Sequence, residues 1–175
     1  SPRGYNTTPV RVVEIDDAAL ERYGQWPWPR HRMAKMVERL NEAGAAAIVL
    51  DIILAEPDRT SPANVTENWL QAPVLAPVIS ELSQSDLSEV DHDARLAAAL
   101  AGAPSVLHLT ARAGSSGISC PAPLQGSHIS GMSAADLARI APSFRSVVPS
   151  LPAFREAASG EGFARTGLSN DAVVR

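Results

Sequence analysis

The sequence predicts an α/β fold: a layered βαβ domain with a central, largely parallel sheet, an antiparallel C-terminal edge and helices on both faces. Three observations lead there. Two short aliphatic runs, Val10–Ile15 and Ala46–Leu50, each end on an aspartate. Between them Met33, Met36, Val37 and Leu40 recur at helical spacing, which gives one buried face. A second helix and strand, Glu89–Ala101 and Ser105–Thr110, follow further along. Strands alternating with helices through short links form parallel neighbours, because the crossover between them is right-handed.

The elements follow in order. Val10-Arg-Val-Val-Glu-Ile15 is rich in β-branched residues and reads as a buried strand. Asp17 is placed to cap a short helix, Ala18 to Tyr23, which Gly24 stops. Gln25-Trp-Pro-Trp-Pro-Arg30 is a stiff link, since each proline restricts its own φ and the residue before it. A helix over His31–Ala43 ends at Gly44, and the strand at 46–50 ends at Asp51. Residues 57–87 form an irregular insert in which a short helix is expected between Thr66 and Ser80. Ser88 with Asp91 has the spacing of a capping box for the helix to Ala101, which buries Leu96, Ala97 and Leu100 before Gly102. In the strand Ser105–Thr110, His108 faces away from Leu107 and Leu109. Residues 111–131 are a Gly/Ser-rich insert, and Ser133 with Asp136 suggests a short capped helix to Ile140. Leu151–Ser159 reads as a helix with Pro152 in its first turn. The tail segments 162–164 and 172–175 read as a pair of strands.

Composition bounds the function. The chain has 175 residues, 45% of them hydrophobic and 19% charged, enough apolar side chain for one core and one domain over 1–175. No 18-residue apolar stretch occurs, so no membrane span is expected within it. A net charge of −4 argues against nucleic acid as a partner, which requires a basic surface. Cys120 is the single cysteine, which excludes an intrachain disulfide and a cysteine-based zinc site. Because the chain starts at Ser1 and ends on the strand-like Asp171–Arg175, it is expected to be excised from a longer protein.

Two clusters carry possible chemistry. Asp16 and Asp51 end predicted parallel strands, and in open sheets ligands bind beyond the carboxyl ends of the strands. With Glu56 they could hold a cation or a hydroxylated ligand; alternatively they cap helices and bond loop amides. Trp26, Trp28 and Arg30 could stack on and pair with a ligand, or simply pack on the sheet edge. The histidines at 31, 92, 108 and 128 lack metal-ligand spacing. No nucleophile elbow or phosphate-binding glycine loop is present. No catalytic residue, cofactor or metal is therefore assigned.

Val10-Arg-Val-Val-Glu-Ile-Asp-Asp17, Gly24-Gln-Trp-Pro-Trp-Pro-Arg30 and Ala43-Gly-Ala-Ala-Ala-Ile-Val-Leu-Asp-Ile52 with Glu56-Pro57 resemble the second family of CHASE domains. Asp93-Ala-Arg-Leu-Ala-Ala-Ala-Leu100, Val147–Pro152, Gly160–Phe163 and Asp171–Arg175 extend the resemblance over nearly the whole chain. Ala172 stands where the family usually has Gly, Arg165 stands near a common Asn, and the insert 57–87 is longer than the family pattern. The resemblance implies an extracytoplasmic, non-catalytic sensor domain of a bacterial receptor, periplasmic or extracellular. It implies flanking transmembrane helices and a cytoplasmic nucleotide cyclase, histidine kinase or other kinase as output. The expected partners are an undefined small-molecule or peptide ligand and a second copy of the chain in a homodimer. The residues assigned to ligand contact are Asp16, Trp26, Trp28, Arg30, Asp51, Glu56 and Asp93. A ligand-free dimerisation or scaffolding module is the alternative, and a metal-dependent hydrolase using Asp16 and Asp51 is a third.

Overall fold

A computed structural model describes residues 9–70, 73–74, 76–81, 91–112, 131, 133, 135–136 and 146–163. Helices α1 (Asp17–Tyr23) and α2 (Arg30–Glu42) precede strand β1 (Ile48–Leu50). Helices α3 (Pro62–Trp69), α4 (Ala76–Ser80) and α5 (His92–Ala101) lead to strand β2 (Ser105–Arg112). Strand β3 (Ser146–Val148), helix α6 (Pro152–Ala157) and strand β4 (Gly160–Phe163) complete the described elements.

Strand β2 is the centre of the sheet. It pairs in parallel with β1, Ile48 opposite Ser105, and in parallel with β4, Val106 opposite Gly160. Its far end pairs antiparallel with β3, Thr110 opposite Val148. The layered, mainly parallel α/β fold is therefore present, with β1–α5–β2 as its crossover unit. Strand 146–148 is antiparallel to β2; of the expected pair of tail strands, residues 162–163 lie in β4, which runs parallel to β2, and 172–175 lies outside the described residues.

Alternation along the strands sets the layers. Ile48, Leu50 and Leu107 point to one face and are buried, whereas Val49 points to the other and is 70% exposed. On the buried face they meet Met33, Ala34 and Val37 of α2, Leu96, Ala99 and Leu100 of α5, and Phe154 of α6. Each fully buried Leu or Phe contributes about 1.5–3 kcal/mol by leaving water. Helices α2 and α5 pack along one another more extensively than any other described pair. The Ser105 hydroxyl, fully buried, donates to the Leu100 carbonyl and so is satisfied within the α5–β2 turn. The Arg155 guanidinium forks onto the Glu161 carboxylate at 2.6 and 2.8 Å and fixes α6 on β4.

Several boundaries differ from the sequence reading. Residues 10–15 form no strand, and Val10, Val12 and Val13 are exposed. A β-branched run becomes a strand only beside a partner with a covered face, and this run has neither among the described residues. The α1 cap is Asp16 rather than Asp17: its carboxylate accepts from the Ala19 amide at 2.9 Å. Helix α5 is capped by Asp91, which accepts from the amides of Asp93 and Ala94, so it begins later than Glu89; residue 88 lies outside the described residues. Within 62–80 there are two helices, α3 and α4, rather than one. The capping bond expected between Ser133 and Asp136 forms, the Asp136 amide donating to the Ser133 hydroxyl at 3.2 Å, while the rest of that helix, 137–140, lies outside the described residues, as does most of 111–131.

Candidate functional site

Helices α2 and α5 both begin where β1 ends, and the loop 52–61 runs between them. Pro29 opens α2 without a side-chain cap, so the first amides of the helix need other acceptors. Asp58 supplies one. Its carboxylate accepts from the Arg30 amide at 2.7 Å and from the Thr60 amide and hydroxyl at 2.8 and 2.7 Å. The same oxygen that meets Arg30 lies 3.1 Å from Nδ1 of His92. Burial pushes the Asp58 carboxyl up, but the bonds from Arg30, Thr60 and His92 outweigh it and hold the group below its ordinary value.

The loop is fixed on its other side by Asp93. Its carboxylate accepts from the Asp58 amide at 2.9 Å and faces the Arg30 Nε at 3.8 Å. Burial, first, moves the Asp93 carboxyl upward; the Asp58 amide and Arg30 pull the other way and lose. Asn64 donates to the Asp58 carbonyl and Ser61 accepts from the His92 amide, so α3 and α5 are tied to the same loop. Arg30 is 8% exposed, a buried guanidinium whose Nη2 reaches the Glu56 carbonyl at 3.5 Å.

Over this network lies a cleft of about 220 Å³, lined by Pro27, Trp28, Arg30, Glu56, Pro57, Asp58, Arg59 and Thr60. Two arginines and two carboxylates line it, so its formal charges balance. Its wall of indole and two prolines is apolar, and its rim offers the Arg59 and Glu56 side chains. This is the chemistry of a small polar solute with an apolar flank.

The structure brings Trp28, Arg30 and Glu56 together in this cleft and places Asp93 directly behind Arg30. Trp26 sits outside it and packs edge-on against Trp28, with centroids 6.1 Å apart. Trp28 in turn packs on Tyr23 at 5.6 Å and donates its indole N–H to the Gly24 carbonyl at 2.7 Å. Asp16 is occupied as the α1 cap. Asp51 is on the surface, its carboxylate 2.9 Å from Nδ1 of His108. Among the described residues no group of three or more metal-ligating side chains converges.

Asp58, Thr60, His31 and His92 were not picked out by the sequence. Pro57–Pro62 reads as plain turn chemistry, yet Asp58 followed two residues later by Thr60 is the spacing of a side chain that bonds its own loop. His31 and His92 are far apart in the chain but each stands in the first turn of a helix, and their rings meet edge-on with centroids 4.4 Å apart. Burial first, then the neighbouring His92, Arg32 and Arg95, hold His31 below its ordinary value, against Asp58.

Comparison with known proteins gives one family. The CHASE2 domain matches residues 2–175, effectively the whole chain. No curated protein and no solved structure matches. The chain belongs to the CHASE2 family, extracellular sensory domains of signalling receptors.

Proposed function

We propose that the chain is the signal-input domain of a bacterial transmembrane receptor, lying on the periplasmic or extracellular side, and that its ligand enters the cleft beside Trp28, Arg30 and Glu56. The observation that carries this is the junction of three segments at one buried arginine. Arg30 opens α2, Asp58 belongs to the loop after β1, and Asp93 lies in the first turn of α5. A solute touching Trp28, Arg59 or Glu56 presses on that junction and favours one arrangement of α2 against α5. The bias it can impose is bounded by its differential affinity for the two arrangements. Flanking transmembrane helices would carry the bias to a cytoplasmic cyclase or kinase, within a homodimer.

The test is a screen of small metabolites by Trp fluorescence and thermal shift on the 175-residue chain, repeated on Trp28→Phe and Glu56→Gln. A hit should perturb the fluorescence of the wild-type chain, and both substitutions should change its affinity. A set of hits indifferent to both substitutions would remove the cleft from the proposal.

A second reading has its own support. Val10, Val12, Val13, Val49 and Ile53 are all more than half exposed, aliphatic side chains that a partner surface would cover. A ligand-free dimerisation module would use such side chains. Sedimentation velocity on the wild-type chain and Val49→Lys decides it: a dimer that Val49→Lys dissociates favours this reading, and a monomer at all concentrations sinks it.

A further inference from the structure

We infer that His31 and His92 form a proton-responsive latch between the first turns of α2 and α5, closed while at most one ring is charged and loosened when both are. This rests on the sensor reading above and names an input to the same site. The geometry is the argument. Two imidazoles in edge contact, with centroids 4.4 Å apart, tolerate one positive charge between them but not two. Around them the charges are unequal. His31 is faced by Arg32 on its own helix, by His92 and Arg95 on α5, and by Asp58 on the loop. His92 is faced by Asp58 at 3.1 Å and by His31. One carboxylate thus answers two arginines and both rings, and it already lies on the His92 side. Asp58 can neutralise a proton on His92; nothing described neutralises a second one on His31.

The helices add to this. His92 is the first residue of α5 and His31 the second of α2, so both rings sit at the positive ends of helix dipoles, where a further positive charge is opposed. Nδ1 of His31 is buried and makes no hydrogen bond to any described group, so a proton there would lack an acceptor. The shift of His31 below its ordinary value follows from these neighbours. Histidine titrates in the range an exported domain meets in acid surroundings. The consequence is mechanical: α2 and α5 are the most extensively packed helix pair, and charging both rings pushes their first turns apart beside the cleft.

The sign follows. A base whose folded-state affinity for protons is depressed favours folding above its unfolded value, near 6.5, and that contribution falls as pH drops through 6.5 towards the folded value. The experiment is ring-resonance NMR of His31 together with hydrogen exchange of the amides in 30–34 and 92–96, read as protection relative to the unstructured-chain rate at each pH, at pH 7.5 and 5.0, on the wild-type chain, His31→Phe and His92→Asn. His92→Asn keeps a donor for Asp58 and removes the second charge. Expected are lower protection of both first turns on acidification of the wild-type chain, a response at least threefold smaller in His31→Phe, and His31 titrating closer to its ordinary value in His92→Asn. Equal protection at both pH values in the wild-type chain overturns the latch, and so does a His31 titration unmoved by His92→Asn. If His31→Phe fails to fold, the His31 titration in His92→Asn decides alone. A metabolite that still binds the cleft while the acid response is missing would refute the latch and leave the sensor reading standing.

Discussion

Asp58→Asn isolates the interaction that holds the cleft together. The substitution keeps size and shape but removes the charge and turns one acceptor oxygen into a donor. In the wild-type chain one oxygen serves the Thr60 amide and hydroxyl, and the other serves the Arg30 amide and faces His92. An asparagine can keep its oxygen towards Thr60, and its amide can then donate to Nδ1 of a neutral His92. The Arg30 amide is left facing another N–H, because Pro29 offers no side-chain cap in its place. A hydrogen bond to a charged acceptor is lost, worth about 1.5–3 kcal/mol, and a buried donor is left over. Asp58 is 6% exposed, so water cannot fully replace it. The expected destabilisation is about 2–4 kcal/mol, a large part of the stability of an ordinary domain. Urea unfolding at pH 7 followed by circular dichroism measures it, with Glu56→Gln on the exposed rim as a control expected to change stability by less than about 0.5 kcal/mol. The wild-type chain should also show a limb that Asp58→Asn lacks. A depressed carboxyl contributes stability above its unfolded value, near 3.8, and loses it as pH falls from there through the folded value. A loss below about 1 kcal/mol at unchanged slope, or an identical acid limb in the variant, would refute the view that Asp58 organises the site.

Leu96→Ala empties a fully buried position between α5 and the sheet and should cost about 2–5 kcal/mol in the same urea assay, depending on how far the cavity collapses. Arg155→Met leaves the Glu161 carboxylate, with 4% side-chain exposure, without its forked partner and should cost about 2 kcal/mol, less the share that water at the half-buried arginine end recovers. Gly24→Ala places a Cβ at φ 90° and should cost about 1 kcal/mol in melting experiments, a local effect confined to the α1 stop, since no atom lies within 4 Å of the added carbon.

Much of the architecture was legible because local signals and burial agree along α2, α5 and α6. The apolar spacing of Met33, Met36, Val37 and Leu40 matches the face that packs on the sheet, and Pro152 opens its helix as expected. What failed was the first strand. A strand signal is a statement about a neighbour, and periodicity within 10–15 carries no information on whether one is there. The cleft was half legible for a related reason. The stiff Trp-Pro-Trp-Pro-Arg link puts Trp28 and Arg30 at the start of α2 whatever the tertiary contacts are. Asp58, His92 and Asp93 join them only through packing of α2 on α5, a contact between distant segments. Asp16 and Asp51 show the limit of the strand-end rule. Asp51 does end a parallel strand, but its carboxylate stays on the surface beside His108, and the junction chemistry passes to a residue seven further along the loop.

One oxygen of Asp58 is shared between the two inputs, and that makes them dependent. It accepts from the Arg30 amide under the cleft and faces His92 within the histidine pair. A solute that draws the start of α2 towards the cleft changes the distance between the rings, and a proton on the pair changes the hold of Asp58 on Arg30. Linkage then fixes the relation between the two effects: each must alter the other's affinity by the same factor. If a solute from the screen binds tenfold more tightly at pH 7.5 than at pH 5.0, the two free energies differ by about 1.4 kcal/mol, and saturating solute should depress proton binding by the histidine pair by an equal amount. Calorimetry at the two pH values gives the first quantity, and ring-resonance titration of the pair with and without solute gives the second. An affinity that falls tenfold while proton binding by the pair stays put would mean that the proton acts on the cleft directly, through Glu56 or the solute itself, and that the shared oxygen transmits nothing.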